Sequence, residues 1–213
     1  MAPQTNAEVA SPQSLPGMTT HVIDVQGRHF QLFLILQLSF LNVLRLLFNM
    51  LIGRRPDAIR IVGKNVMAKR GLNQLGKDTL DTSGQTIGEV MHIVTNEFKH
   101  SRPILMHCTH GKDRTGLIVL MLLLLLGGVV EEGWIQGDYM ISEAELLLER
   151  EKRVEEIVDM GMPESFAYCQ RDFAQEMIGH LQARYGGVEG YLTQPSVGLR
   201  KDEIETIKRT LLG

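Results

Sequence analysis

The chain has 213 residues, 44% of them apolar, a net charge of -3 and two cysteines, Cys108 and Cys169. That is enough apolar material for one domain with its own core, or for one domain and a tail. The charge balance excludes a nucleic-acid binder of the usual basic kind. The count excludes a disulfide scaffold, and two thiols in a chain this long read as reduced cysteines of a cytoplasmic protein.

Residues 1–20 are rich in Pro, Ser, Thr, Gln and Ala and lack the basic start and apolar run of a secretory signal. They are expected to form a disordered tail, which leaves residues 21–213 as one domain. His21–Val25 reads as a strand. Phe30–Ile52 is apolar and long enough to cross a bilayer, but Gln31, Gln37, Asn42, Arg45 and Asn49 interrupt it. A central Arg alone costs roughly 2.5–3.5 kcal/mol on insertion. The segment therefore reads as a buried or interface-facing helix pair. A membrane-associated helix, giving peripheral membrane contact, and a true span are the alternatives.

Gly53–Arg70 is basic, with Arg54, Arg55, Arg60, Lys64, Lys69 and Arg70. It reads as a solvated face whose field also concentrates anions, with Ala58–Val62 as a further strand candidate. Gly71–Gly76 reads as loop. Ile87, Val90, Met91 and Val94 recur at helical spacing and predict a helix over Ser83–Phe98. Ile104–His107 reads as a buried strand, and Thr115–Leu126 as a core helix stopped by Gly127-Gly128. Ile141–Asp159 reads as a charged amphipathic helix with Ser142 and Glu145 as a capping box. Phe173–Tyr185, ended by Gly186-Gly187, and Leu199–Leu211, begun near Lys201-Asp202, complete the pattern. The expected fold is α/β, helix-rich, with a short central sheet flanked by helices.

The residues that carry chemistry lie between the Ile104–His107 strand candidate and the helix at Thr115. They read His107-Cys108-Thr109-His110-Gly111-Lys112-Asp113-Arg114-Thr115-Gly116. A strand delivers the cysteine, a tight loop wraps an oxyanion, and the helix N-terminus turns its free N–H groups inward. Gly111 and Gly116 let the backbone turn and approach a phosphate. Such a nest stabilises a dianion and a thiolate alike, lowering Cys108 from the usual thiol pKa of about 8.5. Cys108 would attack phosphorus and form a phosphocysteine. Arg114 would grip two phosphate oxygens with its planar fork. Thr115 would donate to the sulfur, Thr109 and His110 would line the oxyanion site, and His107 would hold the loop from behind. Lys112 reads as a charge facing the substrate, or else as a solvated lysine. The seven histidines are scattered, so no metal site or other cofactor is expected.

This loop resembles that of the atypical tyrosine/serine phosphatase family of mycobacterial and fungal type. Asp138–Glu143 and Tyr185–Leu192 are similar too, and so in part are Gly71–Asp81 and Phe30–Ile52. The resemblance implies a phosphatase-type α/β sandwich. It also implies activity on phosphotyrosine, often phosphoserine/threonine, and sometimes phosphoinositides, so that phosphoproteins or phosphoinositides are the expected partners. It supports Asp113 as the general acid, against a role tying the loop to Arg114 or to a helix terminus. Asp78 and Asp81 are rival acids that also read as helix caps. The family's upstream strand motifs find no match here, so the domain is expected to be N-terminally incomplete. The competing function is a catalytically weak module that binds phosphate or phosphoinositide. Cys169 is expected to be an inert thiol or a resolving partner for oxidised Cys108. Trp134 is expected to pack, and the Glu143–Glu156 charge run to form a solvated face.

Overall fold

The computed structural model describes residues 17–213. The expected tail falls mostly outside that range, and Gly17–Thr20 have no helix or strand. Eleven α-helices follow: α1 Arg28–Leu36, α2 Phe40–Leu51, α3 Arg55–Val62, α4 Ala68–Thr82, α5 Gly84–Lys99, α6 Asp113–Leu125, α7 Glu132–Glu145, α8 Arg150–Asp159, α9 Phe173–Tyr185, α10 Val188–Thr193 and α11 Lys201–Leu212. Gly63–Met67 is a π-helical turn, and Leu146–Glu149 and Glu164–Ala167 are 3₁₀ turns.

No strand occurs among the described residues, which overturns the α/β expectation and its flanked central sheet. The physical reason lies in the three strand candidates. A strand needs a neighbour for its backbone N–H and C=O groups. His21–Val25 runs without regular structure into a turn at Val25-Gln26. Ala58–Val62 is wound into α3, which Pro56 and Asp57 start at its first turn. Ile104–His107 has no strand partner among the described residues. Its side chains still alternate: Ile104 and Met106 pack on the core, while Leu105 is 79% exposed.

Two apolar clusters hold the helices. The larger is built on α5, α6, α7, α9, α10 and α11. Its centre is α6, buried at Leu117, Ile118, Leu120, Met121, Leu122 and Leu125. The smaller gathers Phe30, Leu34, Leu46, Ala58, Ile157 and Phe166 from α1, α2, α3, α8 and the turn after α8. α4 joins them, with Leu75 in the smaller cluster and Leu80 in the larger. The expected Gly71–Gly76 loop is part of this helix, which breaks only at Gly71, where φ is +76°. A positive φ there is affordable because glycine has no Cβ.

The helix pair expected over Phe30–Ile52 is present as α1 and α2. No helix among the described residues is long and apolar enough to cross a membrane. The helix expected over Ile141–Asp159 is divided differently. α7 begins at Glu132, placing Ser142 and Glu145 inside it rather than at a cap. Ile135 and Tyr139, one turn apart, bury α7, and Trp134 is 74% exposed rather than packed. α9 and its glycine stop lie where the sequence places them, with Gly186 left-handed at φ +72°. α11 is started by the Glu203 carboxylate, which accepts the Arg200 N–H at 3.0 Å.

Candidate active site

The ten-residue motif forms a loop of bends that leads into α6. α6 begins at Asp113, two residues before the expected start. The first helical N–H groups thus fall on the loop itself, where no intrahelical carbonyl can take them. Gly111 turns the loop with φ +68°, a conformation that a side chain would strain.

Cys108 is partly buried. Burial alone would push its thiol up. The Thr115 hydroxyl, the backbone N–H groups of Thr115 and His110 and the charge of Arg114 outweigh it, and the thiol lies below its ordinary value. Thr115 Oγ1 is buried and makes no hydrogen bond, which leaves its hydroxyl free to turn toward the sulfur. Arg114 folds back across the loop, its Nη2 donating to Thr109 Oγ1 at 3.0 Å. His107 is exposed, with Nδ1 3.3 Å from the Cys108 carbonyl oxygen. His110 is half-buried and favours its neutral form, first through burial and then through the charges of Arg153 and Lys112.

Lys112 stands where neither sequence reading puts it. It is 1% exposed, and its ammonium donates at 3.0 Å to the carbonyls of Phe166 and Tyr168. It is therefore neither a solvated lysine nor a charge free to face a substrate. It fastens the loop to the turn after α8. Gly116 is also used differently from the expectation. Its N–H donates to the Lys112 carbonyl. A Cβ there would lie 2.9 Å from the ring of Tyr139, so this glycine makes room for an aromatic ring.

Asp113 is 3.2 Å from Lys112 Nζ through Oδ1, and the Tyr139 hydroxyl donates to the same oxygen at 3.4 Å. Tyr139 is stacked on Phe173 with ring centres 4.2 Å apart. Burial, then the nearby Asp113, keep its phenol protonated. Asp78 and Asp81 lie inside α4 and cap no helix. Asp78 is buried in a two-point ion pair with Arg70, one arm of it at 2.6 Å. Asp81 is engaged by His180 at 2.7 Å and by the Tyr185 hydroxyl at 2.6 Å. Asp138 is exposed.

Two neighbours escape sequence reasoning. Arg153, within the charge run expected to be solvated, is 3% exposed. It donates to the Ala167 and Leu146 carbonyls, neutral partners that leave its charge free to favour an anion near His110. Tyr139 gave no local signal beyond its aromatic character. Cys169 is buried, with its thiol toward the Tyr139 carbonyl oxygen. Burial pushes it up to about 11, opposed by Lys112 and aided by Glu143, so it stays a thiol. A separate concavity of about 970 Å³ contains no residue of the loop. Its lining mixes Asp81, Glu89 and Glu97 with His21, His29 and His92 and has no cysteine or arginine, so the candidate site is the loop.

A polarised cysteine under helix N–H groups, spanned by an arginine, suits an oxyanion. The match to the tyrosine phosphatase family covers residues 4–213. The chain belongs to the tyrosine phosphatase family. Among curated members of that family, it is 36% identical over 115 residues to a tyrosine-protein phosphatase of Nostoc commune, covering 49% of this chain and 37% of the relative. It is 24% identical over 139 residues to the triple specificity protein phosphatase PtpB of Mycobacterium tuberculosis, covering 58% of this chain and 49% of that one. The aligned region thus spans less than half the length of each of these tyrosine phosphatases.

Proposed function

We propose that this chain hydrolyses phosphate monoesters, as a protein tyrosine or dual-specificity phosphatase, through a phosphocysteine on Cys108. The observation that carries the proposal is the loop's geometry: a partly buried cysteine just before the N-terminus of α6, with the Arg114 guanidinium folded back onto Thr109, a setting that favours the thiolate. In the first step Cys108 Sγ forms a bond to phosphorus and the ester oxygen leaves, taking the proton of Asp113. Arg114 and the loop N–H groups hold the equatorial oxygens as charge spreads over them. In the second step Asp113 takes a proton from water, the water oxygen bonds to phosphorus, and the thiolate departs with the Thr115 hydroxyl beside it. Inorganic phosphate and free enzyme result.

Thr109, His110 and Gly111 line the oxyanion side of the loop in this reading. The buried Arg153 adds a positive field beneath it. Phosphotyrosine and phosphoserine proteins are the proposed substrates, with the two thiols kept reduced in the cytoplasm. The two relatives, a tyrosine-protein phosphatase and a triple specificity protein phosphatase, support this class. The test is metal-free turnover of a small aryl phosphate by the purified chain and by its Cys108→Ser variant. Turnover by the parent, its loss in the variant, and vanadate binding retained by both are expected. Vanadate binding with no turnover in either would replace the enzyme with a phosphate-binding module.

A further inference from the structure

The surface of α2 is inverted relative to that of an ordinary amphipathic helix. At 100° per residue, Phe40, Leu41, Leu44, Leu47, Phe48 and Leu51 fall within an arc of about 120°. All six are exposed, each by roughly half or more. The opposite side, turned toward the protein, carries Leu46 together with the half-buried Asn42, Val43 and Asn49. α1 adds Leu32 and Leu36 to the exposed set. Such a surface exceeds the scattered apolar side chains, or the few hundred Å² of patch, that a soluble monomer usually shows to water.

The charge around it identifies the occupant. From Arg28 to Arg70 the chain has eight Lys and Arg and one acid, Asp57, although the whole chain is negative. Arg45 borders the apolar arc next to Leu41 and is exposed. Arg54 and Arg55 follow α2 and are exposed too. Arg54 pairs with Asp57 at 2.7 Å. Arg45 and Arg55 have no carboxylate partner among the described residues. A second copy would set one strongly basic surface against another, which costs rather than gains. An apolar face rimmed by arginines with long apolar stems fits the boundary between acyl chains and anionic headgroups.

We propose that the α1–α2 face docks this protein on anionic lipid surfaces, lying in the interface without crossing it. The smaller apolar cluster ties that face to the candidate site, because Phe166 belongs to the cluster and its carbonyl receives Lys112. The docking itself needs no turnover, so it stands or falls apart from the phosphatase reading.

The test is co-sedimentation of the full chain with phosphatidylcholine vesicles, with and without phosphatidylserine. Binding is expected only with phosphatidylserine, and it should weaken as salt rises. Leu44→Glu/Phe48→Glu should abolish it. Both side chains face solvent, so the circular dichroism melt should be unchanged. Arg45→Gln/Arg55→Gln should weaken binding by about fivefold per charge removed. Equal binding to neutral vesicles overturns the proposal, as does binding that survives the Glu pair. A monomer in light scattering that binds neither vesicle also overturns it. So does a dimer that the Glu pair dissolves without any vesicle binding, and that result would assign the face to a second copy.

Discussion

Lys112 lies inside the cysteine loop, yet its ammonium donates to the carbonyl of Phe166, 54 residues later, at 3.0 Å. With the second bond to Tyr168, one buried cation fastens the loop to the turn after α8. Lys112→Met keeps much of the stem and removes the cation, stranding the buried Phe166 carbonyl, while that of Tyr168 keeps the Gln170 side-chain amide at 3.2 Å. An unsatisfied buried polar group costs about 1–3 kcal/mol, so the melting temperature should fall by several degrees. Vanadate affinity should fall with it, because the loop loses its anchor. Unchanged melting and unchanged affinity would show that the loop holds its shape without Lys112.

Cys108 should be alkylated by iodoacetamide with a midpoint below that of a free thiol. The hydroxyl of Thr115 and the charge of Arg114 both favour the thiolate, so Thr115→Val and Arg114→Gln should each move the midpoint upward. Because the folded-state pKa is depressed, the ionised sulfur contributes stability above the unfolded thiol's pKa, and that contribution is lost as pH falls through the folded value. A midpoint that stays put in both variants would mean that the loop N–H groups alone polarise the sulfur. Arg114→Lys, which keeps charge and loses the fork, should lower kcat/KM by about 10²–10³-fold.

If Asp113 protonates the leaving oxygen, Asp113→Asn should slow phenyl phosphate by about 10²–10⁴-fold and barely affect a substrate whose leaving group is already acidic. Tyr139→Phe removes the hydroxyl that donates to Asp113 Oδ1 and keeps the ring stacked on Phe173. It should show the same leaving-group pattern at smaller amplitude. Equal losses on both substrates would mean that these residues shape the loop and move no proton.

Asp78→Asn breaks the part-buried pair with Arg70. The guanidinium left behind is partly exposed, so the cost should fall between about 1 kcal/mol for an exposed pair and about 3 kcal/mol for a fully buried one, visible as a shifted urea midpoint. Its rate per folded molecule should be independent of leaving-group acidity, because a carboxylate locked by a guanidinium is poorly placed to carry a proton. A strong leaving-group dependence in this variant would move the acid from Asp113 to Asp78.

Helices were legible in the sequence wherever apolar spacing was dense. Phe173–Tyr185 with its glycine stop and the helix containing Ile87, Met91 and Val94 needed only periodicity and a terminator. The loop was legible because a cysteine, two glycines, an arginine and a helix start sit at consecutive positions, and local chemistry constrains all of them. The sheet was misread because a short apolar run looks the same in a strand as in an irregular segment. Only the arrangement of neighbours decides which it becomes, and Ile104–His107 has no strand to pair with among the described residues. Lys112, Arg153, Tyr139 and Gly116 were misjudged or overlooked for a related reason. Each is defined by partners 14 to 56 residues away or by an adjoining helix, and no window along the chain contains them. The sequence by itself determined the cysteine loop and most of the helices, since their causes lie within one or two turns. The tertiary structure alone decided which charges are buried, which carboxylate remains next to the loop and which apolar face is left to solvent, because desolvation and pairing depend on distances between segments.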